Sequence, residues 1–390
     1  MASKDKPYRV YRGGRAKGPI RQEPPRDRAR RRGDGDDPRA RGAKRSRRHG
    51  RRWPRILLVL VLVAVLLVLV WAVLGYLALR SGVAEANDRL DSRTTRVLAP
   101  QEGSILSNPS TILVLGTDEG PDREGPFRTD AMMIVRTDPD EHRIALLAIP
   151  RDLRVDIPNH GVDKVNAAYA FGGSTLAVTT VQNLVGEGLP INHVVVMNFA
   201  DFRGVIDALG GVSVTVRERI LSNKFECPRS TKAQCDRWKG YRFAPGEQEM
   251  NGRRALIYAR IRQNQLDASD NDFTRGERQQ QVLQATADEI TSLGTFLRLP
   301  FIGDDLVEPI ATDLSANQLL QLAWVKSRTP ESETIRCRLG GTIANLNGQS
   351  VVLGSEENRS VIAMVAGETA AQPPPPGSGP FGPGCRIGRG

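Results

Sequence analysis

Apolar residues in this chain occur first as one uninterrupted run and then as short blocks divided by turns. Residues 56–79 are 24 consecutive positions without a charge. At ~1.5 Å rise per residue a helix there measures ~36 Å, which crosses a ~30 Å hydrocarbon layer with some tilt. Beyond it, residues 112–115, 131–135 and 144–149 are β-branched-rich, bounded by turn residues, and read as buried strands. The link Thr137-Asp138-Pro139-Asp140-Glu141 predicts an antiparallel hairpin between the second and third. Helices are expected over 174–185 with Ser174 as N-cap, over 200–209 ending at Gly210-Gly211, and over 253–262, 273–293 and 318–326. Further strands are expected at 194–197, 212–216 and 350–353, the last ahead of an apolar segment at 361–365. Strands alternating with helices, plus one hairpin, predict an α/β domain with a mixed sheet covered by helices.

Three polar punctuations interrupt the first strands: Gly116-Thr117-Asp118, Arg128-Thr129-Asp130 and Pro150-Arg151-Asp152. If the hairpin forms, they share one sheet edge, and Asp118, Arg128, Asp130, Arg151 and Asp152 converge there. Acids and arginines gathered at a rim suit a metal ion and a phosphate group. A second set follows. Arg260 and Arg262 close one helix, while Arg275 and Arg278 lie three apart on one face of the first turn of the next. Cations at a helix N-terminus oppose its dipole unless an anion sits between them. Free N–H groups and arginine forks together make a phosphate receptor. The plainer alternatives are arginines paired at the surface, Asp118 as a turn cap, and Asp152 paired with Arg151 or Arg154. The apolar face of the 174–185 helix, with Leu176, Val181, Leu184 and Val185, reads as core.

The net charge of +11 is unevenly placed: residues 1–55 hold 21 Lys/Arg against 6 Asp/Glu, leaving −4 on the rest. This Arg-, Gly- and Pro-rich tail has no apolar periodicity and is expected to be disordered. Its charge sets it in the cytoplasm and residues 81–390 outside, with Trp53, Trp71 and Tyr76 near the flanks of the span. A signal peptide is the competing reading, given the small residues of Val83-Ala84-Glu85-Ala86, but such apolar cores run ~7–15 residues. All four cysteines follow the run, where an oxidising compartment permits disulfides. Cys227 and Cys235 close a small polar loop and are expected to pair, leaving Cys337 for Cys385; a zinc site has neither the spacing nor nearby histidines. The expected organisation is a tail (1–55), a transmembrane helix (56–79), a polar stalk (80–107), a catalytic domain (108–300), a further extracellular part (301–366) and a Pro/Gly-rich tail (367–390).

Phosphate-binding, dinucleotide, zinc-protease and α/β-hydrolase motifs are absent from the sequence. A phosphate site outside the membrane therefore needs an activated donor delivered there, and polyprenyl-linked pyrophosphates are the obvious class.

The segments Leu115-Gly116-Thr117-Asp118, Phe127-Arg128-Thr129-Asp130-Ala131-Met132-Met133, Ile149-Pro150-Arg151-Asp152, Lys164-Val165-Asn166-Ala167-Ala168-Tyr169 and Tyr258-Ala259-Arg260-Ile261-Arg262 resemble those of LytR-CpsA-Psr (LCP) proteins. So does Asp272-Phe273-Thr274-Arg275-Gly276-Glu277-Arg278-Gln279-Gln280, and the likeness runs in order over residues 108–295. The 46 Arg against 9 Lys and the two cysteine pairs are similar to actinobacterial members. The resemblance implies an α/β/α sandwich around a mixed sheet. It also implies a phosphotransferase that moves a glycopolymer from a polyprenyl-pyrophosphate carrier onto a peptidoglycan hydroxyl, forming a phosphodiester. It assigns Asp118 and Asp130 to Mg²⁺ or Mn²⁺, which hard oxygen ligands suit. Arg151, supported by Arg128, would stabilise the transferred phosphoryl, and Arg260, Arg262, Arg275 and Arg278 would hold the remaining phosphate oxygens. Asp118, Asp130 or Asp152 would take the acceptor proton. A pyrophosphatase side activity, with water as acceptor, fits the same site. Acceptor and polymer choice do not carry over, because the 217–250 excursion looks specific to a subgroup. Two other classes compete: a non-catalytic module binding polyprenyl lipid or cell wall, and a transcriptional attenuator acting through the basic tail. The tail has no recognition helix, so membrane lipids rather than nucleic acid are its expected partner.

Overall fold

The computed structural model describes residues 53–120, 125–223, 227–228, 231–267, 272–376 and 382–388; the basic tail lies outside them. The apolar run begins one continuous helix, α1 (Trp53–Arg89), in which Gly75, Leu79, Gly82, Val83 and Ala86 are buried along one face at helical spacing. Residues 80–107 are therefore not a stalk. They continue into α2 (Ser92–Val97), capped by the Asp91 carboxylate, and Ile105 is fully buried. The polar letters that suggested a stalk are the outward face of packed segments.

β1 (Ser110–Thr117), β2 (Thr129–Asp138) and β3 (Arg143–Ala148) form the expected antiparallel trio. The hairpin β4 (Arg154–Ile157) and β5 (Gly161–Lys164) follows. α3 (Ala167–Val185) is interrupted at Gly172-Gly173, where Gly173 has φ 62°; its regular part starts at Ser174. β6 (His193–Asn198) runs parallel to β1. α4 (Phe199–Leu209) opens with a capping box between Asn198 and Asp201 and stops at left-handed Gly210. β7 (Val212–Val216) leads into the Cys-bearing excursion, with β8 (Ile220–Leu221), α5 (Lys232–Arg237) and β9 (Arg242–Phe243). The excursion ends earlier than expected, because β10 (Gly246–Met250) returns to pair with β7; its Gly-Glu-Gln-Glu-Met sequence hides the strand. α6 (Gly252–Arg260), α7 (Asp272–Ile290) and α8 (Leu293–Ile302) come next. After β11 (Ala311–Thr312) and α9 (Ala316–Arg328) lie β12 (Thr334–Arg338), the hairpin β13 (Gly341–Leu346) and β14 (Gln349–Gly354), α10 (Asn358–Ala366) and β15 (Gly384–Ile387).

The central sheet has the order β11-β6-β1-β2-β3-β12-β15. Three of its seven strands come from beyond residue 300, so the chain does not divide there or at 367. The apolar pattern of β12 is interrupted by Arg336 and Arg338, which mask it as a strand in the sequence; their guanidiniums lie beside Glu331 and Glu277. Alternate positions of the central strands serve two cores. Leu113, Leu115, Ile134 and Leu147 pack with Val178 and Val181 of α3 and Val361 and Val365 of α10. Met133, Ile144 and Leu146 face the other way, against Leu283 of α7. The result is an α/β/α sandwich. On the α7 side, Leu79, Val83 and Ala86 of α1 join Val205 and Ile206 of α4, Tyr258 of α6 and Val282 of α7 in one cluster. Both expected disulfides are present, Cys227–Cys235 and Cys337–Cys385. The second joins directly opposed residues of β12 and β15, and no described cysteine is left for zinc.

Candidate active site at the ends of the central strands

The last residues of β1, β3, β6 and β12 and the first of β2 lie at one end of the sheet, because β1 and β6 are parallel, β3 and β12 are parallel, and β2 opposes its neighbours. Open α/β sheets bind ligands at such carboxyl ends. Two local devices shape this one. The register between β1 and β2 slips: Gly116 faces Ala131 but Thr117 faces Thr129. Asp130 is thus the extra residue of a β-bulge, a device that re-aims a side chain. Asp118, just past β1, closes the following loop, its Oδ1 accepting from the Arg128 N–H at 2.8 Å.

The turn after β3 carries the second group. Arg151 Nη1 donates to Asp130 Oδ1 at 2.8 Å and its Nε to Asp152 Oδ2 at 3.4 Å. Lys164 Nζ donates to Asp152 Oδ1 at 2.8 Å, brought there by the β4–β5 hairpin, which returns the backbone so that the Asn166 N–H reaches the Arg151 carbonyl. All four side chains are 16–20% exposed. From α7, Arg275 is buried and Nη2 donates to the Asp130 carbonyl at 3.4 Å. Two acids and two cations thus form one chain: Lys164, Asp152, Arg151, Asp130.

Beside it opens a cavity of about 630 Å³ between the sheet and helices α4, α6 and α7. Its walls are mostly apolar, from Val114 and Met133 on the sheet, Phe202 and Ile206 on α4, Ile257 on α6, and Val282 and Leu283 on α7. Asp130, Arg260, Arg262 and Arg275 line it as well, and the Arg260 guanidinium stacks 4.1 Å over the Phe199 ring. The Cys227–Cys235 loop contributes Cys227 and Pro228 to the same wall. A mostly apolar cavity that arginines and an acid also line suits an amphiphile with an anionic head.

The structure therefore gathers Asp130, Arg151, Asp152 and Arg275, and sets Arg260 and Arg262 on the adjoining cavity. Asp118 and exposed Arg128 stand at the same strand ends without lining that cavity. Arg278 does not reach it: the side chain is buried and Nη2 donates to the Ile261 carbonyl at 2.6 Å, tying α7 to the end of α6. As for a metal, no cluster of three or more acidic, His or Cys ligands occurs among the described residues. One or two carboxylates with substrate phosphates and water are the usual holding set for Mg²⁺, and Asp118 and Asp130 at these strand ends are donors of that kind.

The LytR_cpsA_psr family model matches residues 75–363. The chain belongs to the LytR_cpsA_psr family. It is 33% identical over 264 residues to a polyisoprenyl-teichoic acid–peptidoglycan teichoic acid transferase, TagU, of Halalkalibacterium halodurans, covering 67% of this chain and 78% of the relative. It is 29% identical over 274 residues to TagV of Bacillus subtilis, covering 69% and 66%. The crystal structure of B. subtilis TagV matches with a TM-score of 0.55 at 26% identity, covering 67% of this chain and 97% of that one. TagT bound to LIIa-WTA matches with a TM-score of 0.53 at 28% identity, covering 68% and 94%.

Within this family frame, two contributors went unassigned in the sequence. Lys164 stood in a family segment without a role, yet it is the second cation on Asp152. Arg338 lies on β12 and borders the Asp130–Arg151–Arg275 recess; only a reading of Thr334–Arg338 as a central strand would have placed it there.

Proposed function

We propose that this protein is a membrane-anchored phosphotransferase moving a glycopolymer from a polyprenyl-pyrophosphate carrier onto a peptidoglycan hydroxyl. The observation that carries the reading is the mostly apolar cavity that Asp130, Arg260, Arg262 and Arg275 also line. Part of its wall, Phe202 and Ile206 of α4, Ile257 of α6 and Val282 of α7, belongs to the cluster that also receives α1, a helix long and apolar enough to span a membrane. In this reading the basic tail is cytoplasmic and the folded part lies outside. The prenyl chain occupies the cavity and the pyrophosphate meets the arginines. The relatives named as polyisoprenyl-teichoic acid–peptidoglycan transferases support the same reaction class.

The acceptor hydroxyl oxygen bonds to the sugar-linked phosphorus while the bond from that phosphorus to the bridging oxygen breaks. Polyprenyl phosphate leaves, and the acceptor proton passes to a carboxylate of the same edge, Asp118, Asp130 or Asp152. Arg151 stabilises charge on the transferred phosphoryl, held in position by Asp130 and Asp152, while Arg260, Arg262 and Arg275 hold the remaining oxygens. Asp118 and Asp130 would hold Mg²⁺ or Mn²⁺, which supplies charge neutralisation on the pyrophosphate. Water in place of the acceptor gives pyrophosphatase side activity. The test is mass spectrometry of lipid co-purified with the full chain. A bound polyprenyl phosphate or pyrophosphate is expected, and recovery of diacyl phospholipid alone would count against the assignment.

A further inference from the structure

The face of α8 that turns away from the protein is apolar throughout. Leu293, Phe296, Leu297 and Phe301 are 71%, 53%, 57% and 78% exposed. The helix has one charged side chain, Arg298, and it points inward: Nη1 and Nη2 donate to the Leu209 and Ala208 carbonyls at 2.8 and 2.9 Å. Those carbonyls end α4, where a cation complements the helix dipole. A patch of this kind marks a contact surface.

What covers it follows from its neighbour. α8 packs on the apolar stretch of α1: the Trp71 and Phe296 rings are 4.5 Å apart, and Trp71 Nε1 donates to the Leu297 carbonyl at 3.3 Å. The crossing is close, since a Cβ on Gly82 would lie 2.6 Å from the Asp304 carbonyl and one on Gly303 3.0 Å from the Leu79 nitrogen. Trp71 lies nine residues before Arg80, the first charge after the run. That is ~13 Å of helix, so residues touching Trp71 lie at or beyond the ~5–10 Å depth reached by interfacial helices. At this level α1 also exposes Val73, Leu74 and Leu77.

We propose that α8 is a second membrane element, its Leu293–Phe296–Leu297–Phe301 face buried among lipid acyl chains beside α1. The bilayer contact holds the domain against the membrane through two points. It places α4, whose side chains wall the cavity, next to the lipid from which an apolar ligand would come. The inference rests on α1 spanning the membrane, and its test separates the two.

All four cysteines are in disulfides, so a single introduced cysteine is the one thiol available for labelling. Full-length protein would carry an environment-sensitive fluorophore at Val65→Cys in α1, Leu297→Cys or Phe301→Cys in α8, or Ile343→Cys on the exposed β13 strand. Each is reconstituted in vesicles of equal parts phosphatidylcholine and phosphatidylglycerol, with and without bromination of the acyl chains. Loss of emission on bromination is expected at 65, 297 and 301 and not at 343. A label quenched at 65 but not at 297 or 301, and open there to an aqueous quencher, would overturn the role of α8 while leaving the span intact. Labels at 297 and 301 shielded from both quenchers would also overturn it, assigning the face to a second protein copy. A label at 65 that bromination leaves unquenched would remove the span itself, and with it the inference.

Discussion

Arg151 is where the proposed chemistry and the folded structure can be separated by magnitude. Its guanidinium bridges Asp130 and Asp152, and the side chains of all three are 17–20% exposed. Exposed ion pairs contribute about 0–1 kcal/mol and buried ones cost about 3–5 kcal/mol when broken. A site between these limits, with Lys164 still on Asp152, should lose about 2 kcal/mol of folding stability in Arg151→Ala. Over a domain of about 290 residues, at ~2.1 cal/mol/K of unfolding entropy per residue, that corresponds to a Tm drop of about 3 °C. Removal of a preorganised donor from a transition state costs about 10²–10³ in rate. Arg151→Ala should therefore fold at moderate temperature yet transfer at least 10²-fold more slowly. Arg151→Lys should keep most of the stability but still lose more than about 10-fold in rate, because one ammonium cannot reproduce the planar fork. The assay is formation of polyprenyl phosphate from lipid-linked donor, followed by liquid chromatography and mass spectrometry beside thermal unfolding of the same samples. Folded Arg151→Ala turning over at the parental rate would refute the assignment.

Other consequences follow. Ile257→Trp, which fills part of the cavity, should raise the donor KM about 10–100-fold, the equivalent of ~1.4–2.8 kcal/mol, with kcat changed much less. Titration calorimetry with a polyprenyl phosphate reads the same loss. The Cys337–Cys385 bond spans 48 residues, so in the chain-entropy account Cys385→Ser removes about 4 kcal/mol. Scanning calorimetry should show a lower Tm, which reductant then lowers further only through the remaining Cys227–Cys235 bond. Burial, and then the charge of Glu119, push the Tyr169 phenol up to about 12. The unfolded chain ionises its tyrosines first, near ~10, so the stability held by the neutral phenol is present below that pH and lost as pH rises toward the folded value. Phenolate absorbance of Tyr169→Phe should lack one group that titrates at about 12 in the parent.

The strands around the site were legible because they are central: Ile112, Leu113 and Leu115 are buried, and strands covered on both faces read as continuous apolar runs. Turn residues gave their ends. The meeting of Asp130, Arg151 and Asp152 followed from the hairpin alone, but the bulge that aims Asp130 did not, since register is not written in composition. Arg278 looked equivalent to Arg275 by helical spacing, yet one binds the Asp130 carbonyl and the other the Ile261 carbonyl; helix rotation against the sheet decides this. The helix expected over 273–293 runs through Thr291 and Ser292, which are weak breakers, and leaves residues 294–302 of α8 unassigned. Only tertiary placement shows that Ser292 caps a new helix, accepting from the Thr295 N–H.

The most direct test of the central claim follows the sugar-linked phosphorus. A donor radiolabelled at that atom is incubated with full-length protein, Mg²⁺ and peptidoglycan, and the label is then located. Transfer as proposed puts the label in peptidoglycan as a phosphodiester and leaves unlabelled polyprenyl phosphate. Label that stays on the prenyl lipid, with glycan reaching peptidoglycan without it, would contradict the account.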